Sequence, residues 1–138
     1  MTIISNKITI DGAEAVHKIM SAILSSEEQI DRDKEHFWAI GLNCRNVIEY
    51  IELVSLGTLT CSLIHPRETY RLAIMKGVNS IILVHNHPSG LPDPSTEDKQ
   101  ITKRLSMAGS ILGVELLDHI IIGRDSYFSF KAQNLMEG

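Results

Sequence analysis

The chain has 138 residues, 43% of them hydrophobic and 22% charged, and a formal net charge of −4. That length can bury one core without covalent staples. No apolar run approaches the roughly 18 residues of a membrane span, and the acidic balance disfavours a protein that lives by gripping phosphates, since cationic contacts drive such binding.

The first ten residues lack a basic region followed by an apolar stretch, so no signal peptide is read and the cytoplasm is the expected setting. Residues 13–24 place Ala13, Val16, Ile19, Met20, Ile23 and Leu24 at helical spacing, with Asp11 available as a cap. The polar segment from Ser25 to Lys34 reads as a connection. Glu35 to Leu42 and Val47 to Val54 are β-rich runs separated by Asn43-Cys44-Arg45-Asn46, which predicts a hairpin. Cys44 and Cys61 stand 17 residues apart with no CxxC pairing, and are read as free thiols rather than a disulfide framework or a cysteine-rich zinc site.

Gly57 to Ile64, rich in Thr and aliphatics, is expected to form a third strand. Pro66 suits the first turn of a helix running to Lys76 and closed by Gly77. Ile81 to Val84 is a bare apolar run, as in a strand buried on both faces. Three of the four prolines fall between Asn86 and Pro94, so that stretch is irregular. A helix begins at Ser95 and keeps Ile101, Leu105, Ala108 and Leu112 on one face. Val114 to Ile122 and Tyr127 to Phe130 are strands joined by a turn at 123–126. The expected fold is one α/β (α+β) domain, a mixed sheet flanked by helices.

The chemistry concentrates in Val84-His85-Asn86-His87-Pro88-Ser89-Gly90 and the following Pro94-Ser95-Thr96-Glu97-Asp98. On an extended chain, residues i and i+2 project to one side, so His85 and His87 can aim at one point beyond the strand end. The proline-rich loop folds the chain back, and Asp98 falls in the first helical turn. Two histidines and a carboxylate leave a fourth tetrahedral position for water, as in catalytic zinc sites. Two plainer readings stand beside this one. A His-x-His at a strand end is commonly structural, and Ser95-x-x-Asp98 can be no more than an N-cap with an acid favouring the helix dipole.

The sequence His-x-His-Pro-Ser-Gly, then Ser95, then Asp98, resembles the JAMM metalloprotease motif, and more narrowly the RadC-like branch of that superfamily. Supporting segments are EHFW at 35–38, GTL at 57–59, HPRE at 65–68, PSTED at 94–98 and LLDHIIIG at 116–123. The resemblance runs from about Glu35 to Phe130. It implies a JAMM-like fold over residues 35–138, with 1–34 as an N-terminal helix and connection. It also implies one Zn2+ per chain held by His85, His87 and Asp98 as neutral imidazole and carboxylate ligands. The family's upstream glutamate matches Glu35, 50 residues before His85, as the general base; Glu49, Glu52 and Glu68 compete for that role. Ser95 matches the serine that donates to the developing oxyanion.

His65 and the Asp118-His119 pair match family positions but are not read as ligands; the pair is read as an internal hydrogen-bonding element. His17 and His36 are surface or core histidines, and Lys99, Lys103 and Arg104 a solvated helix face. The expected activity is hydrolysis of an amide bond in a protein or peptide, with the loops at 43–46, 57–66 and 88–94 setting the substrate. The rival is a DNA-associated RadC-type repair module with nuclease activity or a structural role. Full-length relatives commonly carry an upstream helix-hairpin-helix region, which is not read in the 34 residues before Glu35. No membrane association is expected.

Overall fold

Among the described residues six strands make one sheet in the order β1-β3-β2-β4-β5-β6: β1 (Thr2–Ile3), β2 (His36–Leu42), β3 (Ile48–Leu56), β4 (Ser80–Asn86), β5 (Glu115–Ile122) and β6 (Tyr127–Ser129). The computed structural model describes residues 2–3, 8–57, 60 and 62–136. Strands β2 and β3 form the predicted antiparallel hairpin. Its turn is held by the Asn43 side chain, whose Oδ1 accepts from Arg45 N at 2.9 Å and Val47 N at 3.1 Å. Asn46 takes the left-handed conformation (φ 60°) that asparagine tolerates better than most residues. Mid-strand, a Cβ at Gly41 would lie 2.1 Å from the Tyr50 ring, so only glycine lets that buried ring cross β2.

The sheet is mixed because β2 pairs antiparallel with β4, β4 parallel with β5, and β5 antiparallel with β6. A parallel neighbour needs a crossover, and α5 (Thr96–Leu112) supplies it between β4 and β5. Strand β4 is buried at all seven positions, as the apolar run predicted. Alternation splits it between two layers. Ile81 and Leu83 join Phe37, Ala39, Ile101 and Leu105 in the cluster under α5. Ile82 and Val84 join Trp38, Ile40, Val16 and Met20 in the cluster under α1 (Ala13–Ser25).

Several expectations are corrected. The N-cap of α1 is Gly12 with no side-chain cap bond, so Asp11 does not cap it. The connection before β2 contains a short helix, α2 (Gln29–Arg32). The segment 57–64 is not a strand where it is described: Gly57 (φ 124°) leaves the extended region, and Leu63 N and Ile64 N both bond back to Thr60 O at 3.0 and 3.2 Å. Thr58, Leu59 and Cys61 lie outside the described residues, and with them most of the GTL segment and one of the two thiols. The helix expected over 66–76 is two pieces, α3 (Pro66–Thr69) and α4 (Arg71–Lys76). They part at Tyr70, whose buried ring is anchored by its hydroxyl donating to Leu105 O at 2.8 Å. Gly77 closes α4 in the left-handed conformation, as expected. Among the described residues no helix is long and apolar enough to cross a membrane.

Candidate metal centre

Three elements deliver the three predicted ligands. His85 continues the α5-facing side of β4. His87 lies one residue past the strand, yet its N–H still donates to Ile122 O on β5 at 2.9 Å. Gly90 then turns the loop back (φ 92°), with Gly90 N donating to His87 O and Gly90 O accepting from Arg124 N, both at 2.9 Å. Ser95 caps α5 in a capping box. Its Oγ accepts from Asp98 N at 3.1 Å, and Asp98 Oδ2 accepts from Ser95 N at 2.8 Å. The box thus aims the Asp98 carboxylate. Its Oδ1 lies 3.0 Å from His85 Nε2 and its Oδ2 3.0 Å from His87 Nε2, and the two Nε2 atoms are 3.1 Å apart.

Hydrogen-bond direction fixes what these atoms present. Thr102 Oγ1 donates to Asp98 O at 2.8 Å, one turn back in α5, so its lone pair accepts from His119 Nδ1–H. His119 Nε2 is then an acceptor and takes the Nδ1–H of His85 at 2.8 Å. The outer nitrogen of His85 is left as a bare lone pair. His87 reaches the same state by donating Nδ1–H to Leu91 O at 2.9 Å. Both histidines therefore have the second ring nitrogen tied down, as metal-binding imidazoles commonly do.

With both histidines neutral in this way, two imidazole lone pairs and a carboxylate converge and call for a cation, a place that a proton on an outer nitrogen can also take by hydrogen-bonding Asp98. Tetrahedral zinc with ligand bonds of about 2.0–2.1 Å sets its ligand atoms roughly 3.3 Å apart, close to the spacings here. All three donor atoms lie within 4.8 Å of one another, and this His-His-Asp group can hold a metal ion. His85 and Asp98 are buried while the His87 side chain keeps 16% of its surface exposed, which leaves one flank open to solvent.

Burial opposes ionisation of Asp98, but hydrogen bonds from His85 and His87 and from Ser95 N outweigh it and hold the carboxyl well below the usual range. The hydrogen bond to Asp98 raises His87 above its ordinary value, against burial, with help from Leu91 O and the charges of Asp98 and Glu35. Burial pushes His119 well down, which suits a neutral relay. A proton at His87 competes with metal, so affinity is expected to fall about tenfold per pH unit below the raised His87 value. Without metal this one group contributes in the opposite sense. Its stabilisation is complete below the unfolded value of 6.5 and is lost as pH rises through the raised folded value. Competition with a chromophoric chelator between acidic and mildly alkaline pH measures the first trend.

Glu35 stands at the same sheet end. The β2–β4 register ends with Phe37 opposite His85, two residues short of Glu35 on one strand and of His87 on the other, so the two stand at the same end of the sheet. Glu35 is half-buried, its backbone oxygen accepts from Gly57 N at 2.8 Å, and its charge reaches His87. None of the competing acids is among the charges that act on His87. Glu49 and Glu68 are exposed. Glu52 pairs with Ala39, four residues further along β2, and lies 3.9 Å from Arg71. Ser95 is exposed and acts as the cap, so the plainer reading of that serine holds; the cap uses Oγ as an acceptor and does not use its hydrogen.

The other histidines are not ligands of this cluster. His65 precedes α3 at its N-cap, His17 packs on the Tyr127 ring, and buried His36 stacks on Trp38 and lies 2.9 Å from Glu27 Oε2. Lys99 and Lys103 are exposed, while Arg104 donates to Ile64 O at 3.3 Å. Asp118 is the internal element expected, accepting from His119 N, Lys131 N and Ser129 Oγ at 2.7–2.9 Å. The place of His119 directly behind His85, and the part played by Thr102, were missed. A signal existed: Thr102 follows Asp98 by four residues and therefore shares its helix face.

Thr102→Val preserves shape but strands the His119 Nδ1–H. It is expected to cost about 1–3 kcal/mol of stability and to weaken metal binding roughly 10–100-fold. Chemical denaturation and chelator competition read the two effects. Unchanged metal affinity would mean that packing alone, chiefly Phe37 and Phe130 around the two rings, orients His85.

A family model described as the RadC-like JAB domain matches residues 10–135. The chain is 50% identical over 113 residues to a UPF0758 protein of Desulforamulus reducens, covering 82% of this chain and 50% of that protein. It is 49% identical over 104 residues to one of Symbiobacterium thermophilum, covering 75% and 44%. A third, from Chlorobaculum parvum, is 46% identical over 127 residues, covering 92% and 55%. The chain thus spans about half the length of the curated relatives it matches. The sheet order, the histidine pair at the end of β4 and the aspartate in the first turn of α5 agree with that match, and the chain belongs to the RadC-like JAB-domain family.

Proposed function

We propose that the chain is a zinc-dependent hydrolase that cleaves amide bonds in protein or peptide substrates. The observation that carries this reading is a three-donor cluster with one open flank and an uncoordinated carboxylate, Glu35, beside it. A purely bracing site needs neither the opening nor the acid. Zinc in such a site supplies Lewis acidity and brings the pKa of water down to about 7. Glu35 takes the proton of the attacking water on its carboxylate and returns it to the leaving amine nitrogen. The Ser95 hydroxyl, whose hydrogen the cap does not use, donates to the substrate oxygen as negative charge develops there. Thr102 and His119 keep the proton of His85 on Nδ1, so that Nε2 stays a ligand.

A net charge of −4 favours a peptide over a polyanion. The exposed free thiol of Cys44 suits a reducing, cytoplasmic compartment. The test sets linear peptides and isopeptide-linked conjugates beside labelled single- and double-stranded DNA, with the chain zinc-loaded or chelated and salt varied. Zinc-dependent amide cleavage with little salt dependence is expected. Tight DNA binding that collapses with salt, together with zinc-dependent strand cleavage, would replace this reading with that of a repair nuclease.

A further inference from the structure

The residue between the two ligand histidines points the other way. Asn86 is 2% exposed and shares the α1 side of β4 with Ile82 and Val84. Its carboxamide reaches across to the chain just before β2, where the regular ladder ends. Oδ1 accepts from His36 N at 2.6 Å, and Nδ2 donates to Lys34 O at 3.1 Å. These two backbone groups flank Glu35, and the side chain stands in for the rung that a continuing strand would make. On the far side, Gly57 N donates to Glu35 O at 2.8 Å. The His36 imidazole closes the loop from within, its Nδ1 lying 2.8 Å from Lys34 O. The peptide groups on both sides of Glu35 are therefore bonded, and the charge that its side chain carries acts on His87.

We propose that Asn86 is a positioning residue, whose carboxamide fixes Glu35 against the metal centre. The inference rests on the reading of Glu35 as the general base. Its physical appeal is the short path: one tripeptide, His85-Asn86-His87, carries two metal ligands and the clamp that holds the acid, so their relative error is that of three residues. Placement matters at this scale, because a displacement of about 1 Å at a reacting group can cost a hundredfold in rate. The chemistry of the residue also fits. Holding an N–H and a C=O at once takes an acceptor and a donor on one short planar group, which asparagine has; aspartate offers the acceptor alone, and serine a single atom.

The test uses the whole chain, metal-free and loaded with Co2+, in parent, Asn86→Ala and Asn86→Asp forms. Co2+ affinity is expected to fall far less than in His87→Ala, since Asn86 bonds neither a ligand side chain nor a partner of one. In the metal-free chain the His36 amide should exchange about tenfold faster in Asn86→Ala. In the Co2+-loaded chain the paramagnetic shift of the Glu35 carboxyl carbon should fall by more than half in Asn86→Ala and by less in Asn86→Asp, which keeps the acceptor. If the alanine form does not fold, the aspartate form decides by the same shift. A carboxyl shift unmoved in every folded variant would overturn the proposal. So would loss of Co2+ equal to that of His87→Ala, which would reduce Asn86 to a support of the ligand strand. The failure of the underlying reading looks different. Hydrolysis that survives Glu35→Gln would remove the base, while the carboxyl shift would still depend on Asn86.

Discussion

Asp98→Ala is expected to leave a folded chain that no longer holds metal. Asp98 serves twice, as a donor atom of the cluster and as the reciprocal partner of Ser95 in the α5 capping box. Losing the second role costs about 1 kcal/mol, the usual scale of a helix cap. Losing the first is far larger. Without the carboxylate, two imidazole nitrogens 3.1 Å apart face each other with lone pairs only, and the anionic donor of the cluster is gone. The metal content of purified Asp98→Ala should drop from about one per chain to background, as should that of a His85/His87 double variant. Asp98→Asn separates the roles, since its amide oxygen can still accept from Ser95 N. It should keep the stability and lose the metal. Elemental analysis and circular dichroism together read both. The core is expected to outlast the metal, because the two buried clusters flanking the sheet are built without the ligands. Stoichiometric metal in either variant would refute the ligand set, and an unfolded metal-free parent would refute the independence of the core.

What could be read from the sequence follows the range of the interactions concerned. β4 and the start of α5 are local: an unbroken apolar run, a proline-rich loop, a serine three residues before an acid. Those signals located His85, His87 and Asp98 without any long-range pairing. The misread segment at 57–64 has strand-like composition, but β-propensity mostly reports packing against neighbours. Gly57 N is used by Glu35 O, the chain then turns at Thr60, and Ile64 joins the buried cluster under α5. The break at Tyr70 was equally hidden, because a hydroxyl bond to Leu105, 35 residues away, anchors it. Glu35 is the instructive case. No local pattern separates it from Asp31, Asp33 or Glu49. Only the antiparallel pairing of β2 with β4 brings it to the sheet end where His87 stands, and a resemblance to relatives supplied what periodicity could not. Asn86 and Thr102 escaped for the same reason, since their partners lie across the sheet or on a neighbouring element.

Glu35→Gln should keep the metal and lose the reaction. Glutamine has nearly the same size and still hydrogen-bonds, and the backbone bonds that hold position 35 come from Gly57, Asn86 and the neighbouring residues, none of which the substitution touches. The side chain is not one of the three donors of the cluster, so metal content should match the parent. What disappears is the ability to accept a proton at neutral pH, for which general-base catalysis typically supplies about 10²–10⁴ in rate. Turnover of any amide substrate that the parent cleaves in a zinc-dependent way should fall by that factor, with KM little changed, because substrate binding is not what the carboxylate provides. Glu35→Asp, shorter by one methylene, should fall between the two, since a base that must reach a water is sensitive to its length. Loss of metal in Glu35→Gln would make Glu35 a fourth ligand and close the open flank. Retained metal with unchanged turnover would hand the role to another acid, and Glu68, exposed on α3, is the next to substitute.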